Sequence, residues 1–237
     1  MFAYIGNSRD ELERLVGGLE NAARVDKVAV KLGMKHTTHQ DGWGFAIYSD
    51  RGISFYKSEK PIFDDEKVLP PTAGKIYAIY HARQASKGYA VRRRFSHPFL
   101  GETDENYVFL THNGTLDGQK LAEELNFHGD ALDSELALKY ALQNDSLGQA
   151  VTDLQEYTMP NSALNLLILQ ISKDGGAEVF VKHYYKKDRA MLDKTEYYSI
   201  LSESLAEGKA VFSSTLNYYG FSGKELARDD LVPLSAV

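Results

Sequence analysis

Apolar and polar positions along this chain predict strands near both ends and in the middle, with helices between them. Short apolar runs bounded by turn residues are typical of buried strands. One hairpin is marked by the turn Asp50-Arg51-Gly52 and a second by Lys173-Asp174-Gly175-Gly176. The predicted strands cover residues 2–5, 45–48, 53–56, 75–80, 107–110, 163–172, 177–184, 197–201 and 210–213.

Helical segments are predicted from apolar spacing and from capping residues. Ser8, followed three residues later by Glu11, has the pattern of a capping box, which predicts that a helix starts there. Leu12 and Leu15 follow at helical spacing, although Gly17-Gly18 weakens the middle of this segment. Further helices are predicted over residues 25–34, over 117–126, from Asp130 or Asp133 through 143, and over 147–157.

The order of these elements predicts the fold class. Strands, then helices, then strands joined by hairpins favour an α+β protein over alternating βαβ units. The sequence has 237 residues, of which 43% are hydrophobic, and this is enough for a sizeable core. No linker rich in proline, glycine or serine divides it, so we expect a single domain over residues 1–237.

Composition excludes several function classes. The formal net charge of −6 argues against nucleic acid as a partner, and the short basic run Arg92-Arg93-Arg94 is expected to be a solvated loop. The longest apolar stretch, residues 163–171, is far shorter than the roughly 20 residues that span a bilayer, and no signal peptide pattern is found. We therefore expect a cytoplasmic protein with no membrane partner and no cofactor. Cysteine is absent, so the chain has neither disulfides nor thiol chemistry.

The stretch from Tyr107 to Thr115 joins an apolar, β-forming run to His112, Asn113 and Gly114. A glycine at position 114 can adopt backbone angles closed to other residues and lets another group approach its N–H closely. The Asn113 amide beside that N–H gives two donors that could converge on one oxygen, which is the composition of an oxyanion hole. The alternative is that Asn-Gly is only a turn that ends the strand.

Polar clusters follow two predicted strands, at His81-Ala82-Arg83 and at His112-Asn113-Gly114. If the two strands lie close together in one sheet, both clusters open on the same edge. Arg83 offers a planar fork suited to a carboxylate, and Asp133 at a predicted helix start could accept an ammonium group. Together they would hold the zwitterionic end of an amino acid. The alternatives are that Arg83 makes a structural ion pair and that Asp133 only stabilises a helix N-terminus, by about 0.3–1 kcal/mol.

Two other features admit a role in a site. Trp43, flanked by Gly42 and Gly44, is either a core anchor at the start of a strand or part of a binding site. Several histidines lie in the first half of the sequence, as does Asp41, and such side chains can bind a metal, so a metal hydrolase is a rival interpretation. No motif of recognised ligand spacing appears among them, so we predict no metal. These histidines are His36, His39, His81, His97 and His112.

Five motifs, in order, resemble the class II glutamine amidotransferases, which are members of the N-terminal-nucleophile (Ntn) hydrolases. The motifs are His39-Gln40-Asp41-Gly42-Trp43-Gly44, Tyr80-His81-Ala82-Arg83-Gln84-Ala85-Ser86, Ser96-His97-Pro98-Phe99, His112-Asn113-Gly114 and Leu132-Asp133-Ser134-Glu135. The first looks like the Asp-Gly-Trp-Gly segment of the stand-alone branch, and the second is similar to the Gly-His-x-Arg-x-Ser/Thr stretch of the family. The resemblance covers most of the chain and implies a four-layer αββα sandwich.

The resemblance also implies a reaction and a role for each residue. The family hydrolyses L-glutamine to glutamate and ammonia through a thioester. Arg83 would hold the α-carboxylate, Asp133 the α-ammonium group, and Asn113 with Gly114 the oxyanion. Further substrate-binding residues would be His81, Ser86, His112 and Trp43. The chain is too short to hold a synthase domain as well, so the acceptor of the ammonia is expected elsewhere, and a homo-oligomer is left open.

One departure from the family is serious. The nucleophile of the family is a cysteine that becomes the first residue, and its own α-amino group can serve as the base. Position 2 here is Phe2, and the chain has no cysteine. In one explanation this sequence starts inside a longer chain that begins Met-Cys-Arg and continues with Met1. In the other, the protein is an inactive relative that binds an amino acid or serves as a scaffold.

Overall fold

Two antiparallel sheets face each other, and helices cover their outer faces. The computed structural model describes residues 1–66, 69–85, 88–187 and 194–237. The strands are β1 Phe2–Gly6, β2 Trp43–Ser49, β3 Gly52–Ser58, β4 Ile76–Ala82, β5 Phe99–Glu102, β6 Asn106–Gly114, β7 Ser162–Ser172, β8 Ala177–Lys182, β9 Tyr185–Lys186, β10 Ile200–Ser204, β11 Gly208–Ser213, β12 Lys224–Glu225 and β13 Leu231–Pro233. The α-helices are α1 Arg9–Arg24, α2 Lys27–Lys31, α3 Gly118–Glu124, α4 Asp133–Leu142, α5 Leu147–Asp153 and α6 Thr195–Tyr198.

The strand order places β1 in the middle of one sheet and β6 near one edge of the other. The seven-stranded sheet has the order β12-β10-β11-β1-β4-β2-β3, and the six-stranded sheet has the order β13-β8-β7-β6-β5, with β9 paired to β7. The registers align Phe2 with Tyr80 and with Phe212. The start of β1 therefore lies beside the ends of β4 and β11.

Three layers of apolar side chains hold the sandwich together. Tyr4, Leu12 and Phe45 belong to the layer between the seven-stranded sheet and α1. Ile79 and Leu167 belong to the layer between the two sheets. The third layer lies between the six-stranded sheet and the helices α3–α5, and it includes Leu110, Leu136 and Leu166. This is the layer arrangement that the αββα expectation requires.

The predicted capping box at the start of α1 forms only in part. Ser8 Oγ accepts a hydrogen bond from the backbone N–H of Glu11 at 3.3 Å, as predicted. The Glu11 carboxylate does not return to the Ser8 N–H. It accepts instead from the hydroxyl of Tyr4 at 3.0 Å, and the Tyr4 oxygen accepts from the Ser8 N–H at 3.1 Å. The first turn of α1 is thereby tied to β1, which a local sequence pattern does not reveal.

Three sequence expectations need correction. The predicted strand over residues 197–201 is wrong, because Thr195–Tyr198 forms a helical turn and β10 begins only at Ile200. Neither Asp130 nor Asp133 caps α4, since the cap residue is Leu132 and Asp133 is the first helical residue. The predicted end of the central strand is also too early, because β6 continues through Gly114. In the described part of the chain no helix is long and apolar enough to cross a membrane.

Candidate functional site

A cavity of about 770 Å³ opens at the end of the sandwich where β1 begins and where β4, β6 and β11 end. It is lined by Met1, Arg83, Asn113, Gly114 and Asp133, among other residues. The two polar clusters do meet, but they do so from facing sheets rather than from one sheet, because β4 and β6 belong to different sheets. The structure thus brings six of the eight predicted site residues to one cavity, since His81 and His112 also line it.

Arg83 is held rigidly at the cavity wall although it follows the end of β4. Its N–H donates to the carbonyl of Gly42 at 2.7 Å, and its carbonyl accepts from the N–H of Asp41 at 2.9 Å. The guanidinium donates to the carbonyls of Asp41 and Ala90, both at 3.4 Å. The residue is only 4% exposed. Burial lowers the pKa of Arg83, while Asp41 and Asp133 act in the opposite direction.

The Arg83 guanidinium makes no ion pair with any carboxylate of the residues that the structure describes. The structural ion pair considered from the sequence is therefore not found there. A buried charge without a partner is costly, so such groups are normally paired. The guanidinium faces a cavity instead, and this is the environment expected of a group that binds an anion.

Asp133 links the first turn of α4 to the segment after β6. One of its carboxylate oxygens accepts from the N–H of Leu116 at 2.8 Å, and the other accepts from the N–H of Ser134 at 2.8 Å. The oxygen bonded to the Ser134 N–H also lies 3.2 Å from Ser134 Oγ, whereas the oxygen bonded to Leu116 has a second lone pair that can accept from a ligand in the cavity. The position at the start of the helix also places the charge where the helix dipole favours it.

His112 lies beneath the first turn of α4 and is 3% exposed. Its ring nitrogens contact Ser134 Oγ at 3.0 Å and the carbonyl of Ala163 at 3.2 Å. Burial lowers the pKa of His112, partly opposed by Asp133 and by the hydrogen bond to Ala163. A neutral ring requires Nε2–H to donate to the carbonyl and Nδ1 to accept from the Ser134 hydroxyl. Both nitrogens are thus used within the protein, and His112 positions α4 rather than offering a free group to a ligand.

Asn113 and Gly114 form the end of β6. Gly114 has φ of 153°, and a Cβ at this position would overlap the carbonyl oxygen of Ala163. Only glycine fits there, because β7 approaches too closely for a side chain. The Asn113 side chain makes no hydrogen bond to the described residues, although it lines the cavity. A free amide donor next to a close-approach glycine is compatible with the predicted oxyanion hole.

The start of β1 forms part of the same cavity. The α-amino group of Met1 donates to Ser213 Oγ at 3.2 Å. The sulfur of the Met1 side chain lies between the sheets, 3.8 Å from Thr111 Oγ1. Burial lowers the pKa of this amine to about 5, and Asp26 partly opposes the shift. Met1 therefore lines the same cavity as Asn113 and Gly114, which belong to the opposite sheet.

The other residues predicted for the site differ in whether they line the cavity. His81 lines the cavity and is 7% exposed. Trp43 is not brought to the cavity. It is buried against Phe45 and Tyr56, and its indole N–H donates to Asp65 at 3.0 Å. Ser86 lies outside the described residues. Among the residues with described positions, no three His, Asp or Glu side chains are grouped so that they could hold a metal ion.

Two other parts of the cavity wall contain histidines that the sequence suggested only as metal ligands in the rival interpretation. His97 lines the cavity beside His81, with ring centroids 4.3 Å apart. On another wall, His39 Nε2 lies 3.0 Å from the carboxylate of Asp26, which also caps α2. The motifs that contain His39 and His97 marked both residues in the sequence. Asp26, the partner of His39, was not marked, because its position before a helix is fully explained by capping.

Comparison with known families shows the family to which the chain belongs. A family model of the class II glutamine amidotransferases matches residues 27–182. The matched range contains Arg83, Asn113, Gly114 and Asp133. The chain belongs to the class II glutamine amidotransferase family.

Solved structures with the same fold extend the comparison. Glutamine phosphoribosylpyrophosphate amidotransferase from B. subtilis, complexed with ADP and GMP, is 15% identical with a TM-score of 0.64, and the match covers 98% of this chain and 48% of that one. A structure described as the allosteric regulatory enzyme of purine biosynthesis is 16% identical with a TM-score of 0.63, and the match covers 98% and 44%. This chain spans about half the length of both proteins. Such low identities show the fold alone, which is the predicted Ntn-hydrolase type. No curated protein sequence matches the chain.

Proposed function

We propose that the chain binds L-glutamine in this cavity and acts as a glutamine amidohydrolase. Arg83 holds the α-carboxylate, and Asp133 accepts from the α-ammonium group. Asn113 and Gly114 then receive the side-chain carbonyl oxygen. The assignment of these roles rests on the family and on the shared cavity.

One observation carries the proposal: the buried guanidinium of Arg83 lacks a carboxylate partner within the described structure and lines a cavity that Asp133 also lines. A free amino acid supplies the missing anion. It also supplies a cation for Asp133. A ligand with only one of these charges would leave the other protein group unpaired, at a cost in binding free energy.

The reaction that fits these groups is attack by a thiolate on the amide carbon of glutamine. The carbonyl oxygen gains negative charge, which donors from Asn113 and Gly114 stabilise. The carbon–nitrogen bond then breaks, and the departing nitrogen takes up the proton that the thiol gave up and leaves as ammonia. Water then hydrolyses the thioester, which releases glutamate and restores the thiol. We place the thiol on a cysteine a few residues before Met1. The support is that the Met1 amine lies on the cavity wall, so a residue joined to it would enter the cavity that Asn113 lines.

Two measurements test these two parts separately. Intact-mass analysis of the protein from its native source tests the cysteine, and a native chain that begins at Met1 would refute it. Calorimetry tests glutamine binding. We expect Arg83→Gln to bind glutamine roughly 10- to 100-fold more weakly, while Arg92→Gln, a change at an exposed arginine, leaves the affinity unchanged. Equal affinities of the two variants would reject the role of Arg83.

A second function is favoured by one specific observation, the absence of cysteine from the sequence. In this alternative the chain is an inactive relative that binds glutamine or another amino acid, or serves as a scaffold. Binding of glutamine without formation of glutamate, measured on protein with its native first residue, would support a binding protein. No binding at all would leave the scaffold.

A further inference from the structure

The edge of the seven-stranded sheet at β3 differs from the other sheet edges. Edge strands in proteins are usually short, charged, covered or interrupted by proline, because their unpaired backbone groups invite pairing with another strand. In the described structure β12 has two residues, β13 has three and ends in Pro233, and β5 has four. Strand β3 has seven residues and pairs there only with β2. It therefore offers the longest row of backbone groups to another chain.

Apolar side chains reach solvent along this edge. The ring centroid of Phe55 lies 5.2 Å from that of Phe109 on β6, so Phe55 faces the layer between the two sheets. Ile53 shares its face of the strand, and Leu100 on β5 is the register partner of Phe109. Yet Ile53, Phe55 and Leu100 are 42%, 41% and 48% exposed. The layer between the sheets is therefore open to solvent at the edges β3 and β5.

The backbone groups of β3 that could pair with another strand belong to Ile53, Phe55 and Lys57. The hydrogen bonds between the end of β4 and the residues before β2, with the registers of β2 to β4 and β3, leave these groups directed away from β2. No described residue bonds to them. A lysine on an edge can block pairing. The ammonium group of Lys57 is already engaged, because it donates to the carbonyl of Arg94 at 2.8 Å and lies 4.5 Å from the centre of the Phe99 ring.

We propose that two copies of this chain pair through β3, antiparallel and centred on Phe55, so that the seven-stranded sheet continues from one copy into the other. This inference does not depend on the proposed function. A pair of identical antiparallel strands has a two-fold axis, which is the commonest symmetry of dimers. In this register Phe55 of one copy lies opposite Phe55 of the other, and Ile53 lies opposite Lys57. All three have outward backbone groups, so they form the hydrogen-bonded pairs of the new ladder.

The charges that flank β3 match in this register. Pairing centred on Phe55 places Arg51 of one copy opposite Glu59 of the other, and Asp50 opposite Lys60, and the two-fold axis repeats each pair. All four charged residues are exposed. Glu59 accepts from a backbone N–H of its own chain at 3.2 Å through one oxygen, which leaves the other for the arginine. Lys60 also lies 3.8 Å from a carboxylate of its own chain. Opposite charges directly across a strand pair are stabilising.

The neighbouring registers lose this match. A pairing centred on Ser54 would place Arg51 opposite Lys57, which is a destabilising pair of like charges. A pairing centred on Tyr56 would leave Arg51 without a charge directly across from it. The outward backbone groups, the exposed apolar side chains and the flanking charges are thus complementary to those of a second copy in one register. A second copy is the occupant that these three features fit together.

Sedimentation velocity over a range of protein concentrations tests the dimer. We expect the unaltered chain to show a concentration-dependent equilibrium between monomer and dimer. Phe55→Lys places two ammonium groups at the two-fold axis and should raise the dissociation constant of the dimer roughly 100-fold or more. The control is Val30→Lys at another exposed apolar residue, on α2, which should leave the equilibrium unchanged. A chain that is monomeric at every concentration, or a dimer that Phe55→Lys leaves intact, would overturn the proposal.

An exchange of charges tests the register and covers the case in which Phe55→Lys does not fold. Arg51→Glu alone places like charges opposite each other on both sides of the axis and should weaken the dimer roughly 3- to 10-fold. Adding Glu59→Arg to the same chain exchanges the two charges and should restore most of the affinity. Circular dichroism confirms that each variant is folded. A folded double variant that stays as weak as Arg51→Glu would reject the pairing centred on Phe55.

Discussion

The carboxylate of Asp133 accepts a 2.8 Å hydrogen bond from the N–H of Leu116, two residues after Gly114. This bond fixes the first turn of α4 against the end of β6. The residue proposed to bind the α-ammonium group is therefore held in register with the residues proposed to bind the side-chain carbonyl. This one hydrogen bond would therefore fix the position of the group that binds the α-ammonium end relative to the groups that bind the side-chain end of glutamine.

The charge of Asp133 should matter for binding more than for folding. Asp133→Asn removes the anion but keeps the shape, so we expect roughly 10- to 100-fold weaker binding of glutamine. The loss of one backbone hydrogen bond should lower the free energy of unfolding by about 1 kcal/mol. Calorimetry and urea denaturation measure the two effects. Asp117→Asn is the control, because Asp117 caps α3 with a similar bond to Lys120 and Asn is an equally good cap.

An Asp133→Asn variant that binds glutamine as tightly as the unaltered chain would contradict the ammonium role. It would leave Asp133 as a residue that only joins α4 to the strand end, which was the structural alternative drawn from the sequence.

Much of the site could be predicted because its residues end elements that apolar patterns mark clearly. Arg83 follows a recognisable strand, Asn113 and Gly114 end another, and Asp133 begins a helix. All four line one cavity. The sequence did not show that the two strands belong to facing sheets, because pairing between distant strands leaves no trace in local periodicity.

Other features depended on tertiary contacts that a pattern does not encode. Tyr197 and Tyr198 have high strand propensity, yet they lie in a helical turn, where the ring of Tyr198 stacks on Tyr185 at 5.2 Å. Trp43 carries the glycine neighbours of a site residue but packs in the layer beneath α1. The unpartnered nitrogens of His97 become visible only when its surroundings are known.

Gly114 should tolerate no side chain. Gly114→Ala places a Cβ against the backbone carbonyl of Ala163 at φ of 153°, so we expect a loss of about 1–3 kcal/mol in the free energy of unfolding. The control is Gly17→Ala in α1, where no heavy atom lies within 4 Å of the new methyl group. Gly17→Ala should raise the free energy of unfolding by about 0.5–1 kcal/mol, because glycine weakens a helix interior.

Urea denaturation of both variants measures these opposite changes. Equal stability of Gly114→Ala and the unaltered chain would show that β7 can move away from the strand end, and the close approach would then not be a constraint.

Acid should destabilise the fold through its buried histidines. Burial lowers the pKa of His81, His97 and His112 from the ordinary value of 6.5. Above pH 6.5 these rings are neutral in both states, and they add no pH dependence. As the pH falls below 6.5, the unfolded chain binds protons that the folded chain does not, so the free energy of unfolding decreases until the folded rings are protonated.

A series of urea denaturation curves between pH 8 and pH 5 would show this decrease, and His97→Phe should make the slope below pH 6.5 shallower. His128→Phe, at an exposed position, is the control for removing a histidine. A stability that stays constant or rises from pH 7 to pH 5 would contradict the burial of neutral rings.

Asn113 should act on the transition state rather than on the bound substrate. In protein whose native first residue supplies the thiol, we expect Asn113→Ala to lower kcat by roughly 10²–10³-fold, because it removes one of two donors to the oxyanion. The affinity for glutamine should change little, since the charge on that oxygen develops only during the reaction.

Asn144→Ala is the control, because Asn144 is exposed and donates to the carbonyl of Tyr140 on α4. Steady-state kinetics separates the two effects. A variant with unchanged kcat would remove Asn113 from the mechanism, and one with raised KM at unchanged kcat would make it a binding residue only.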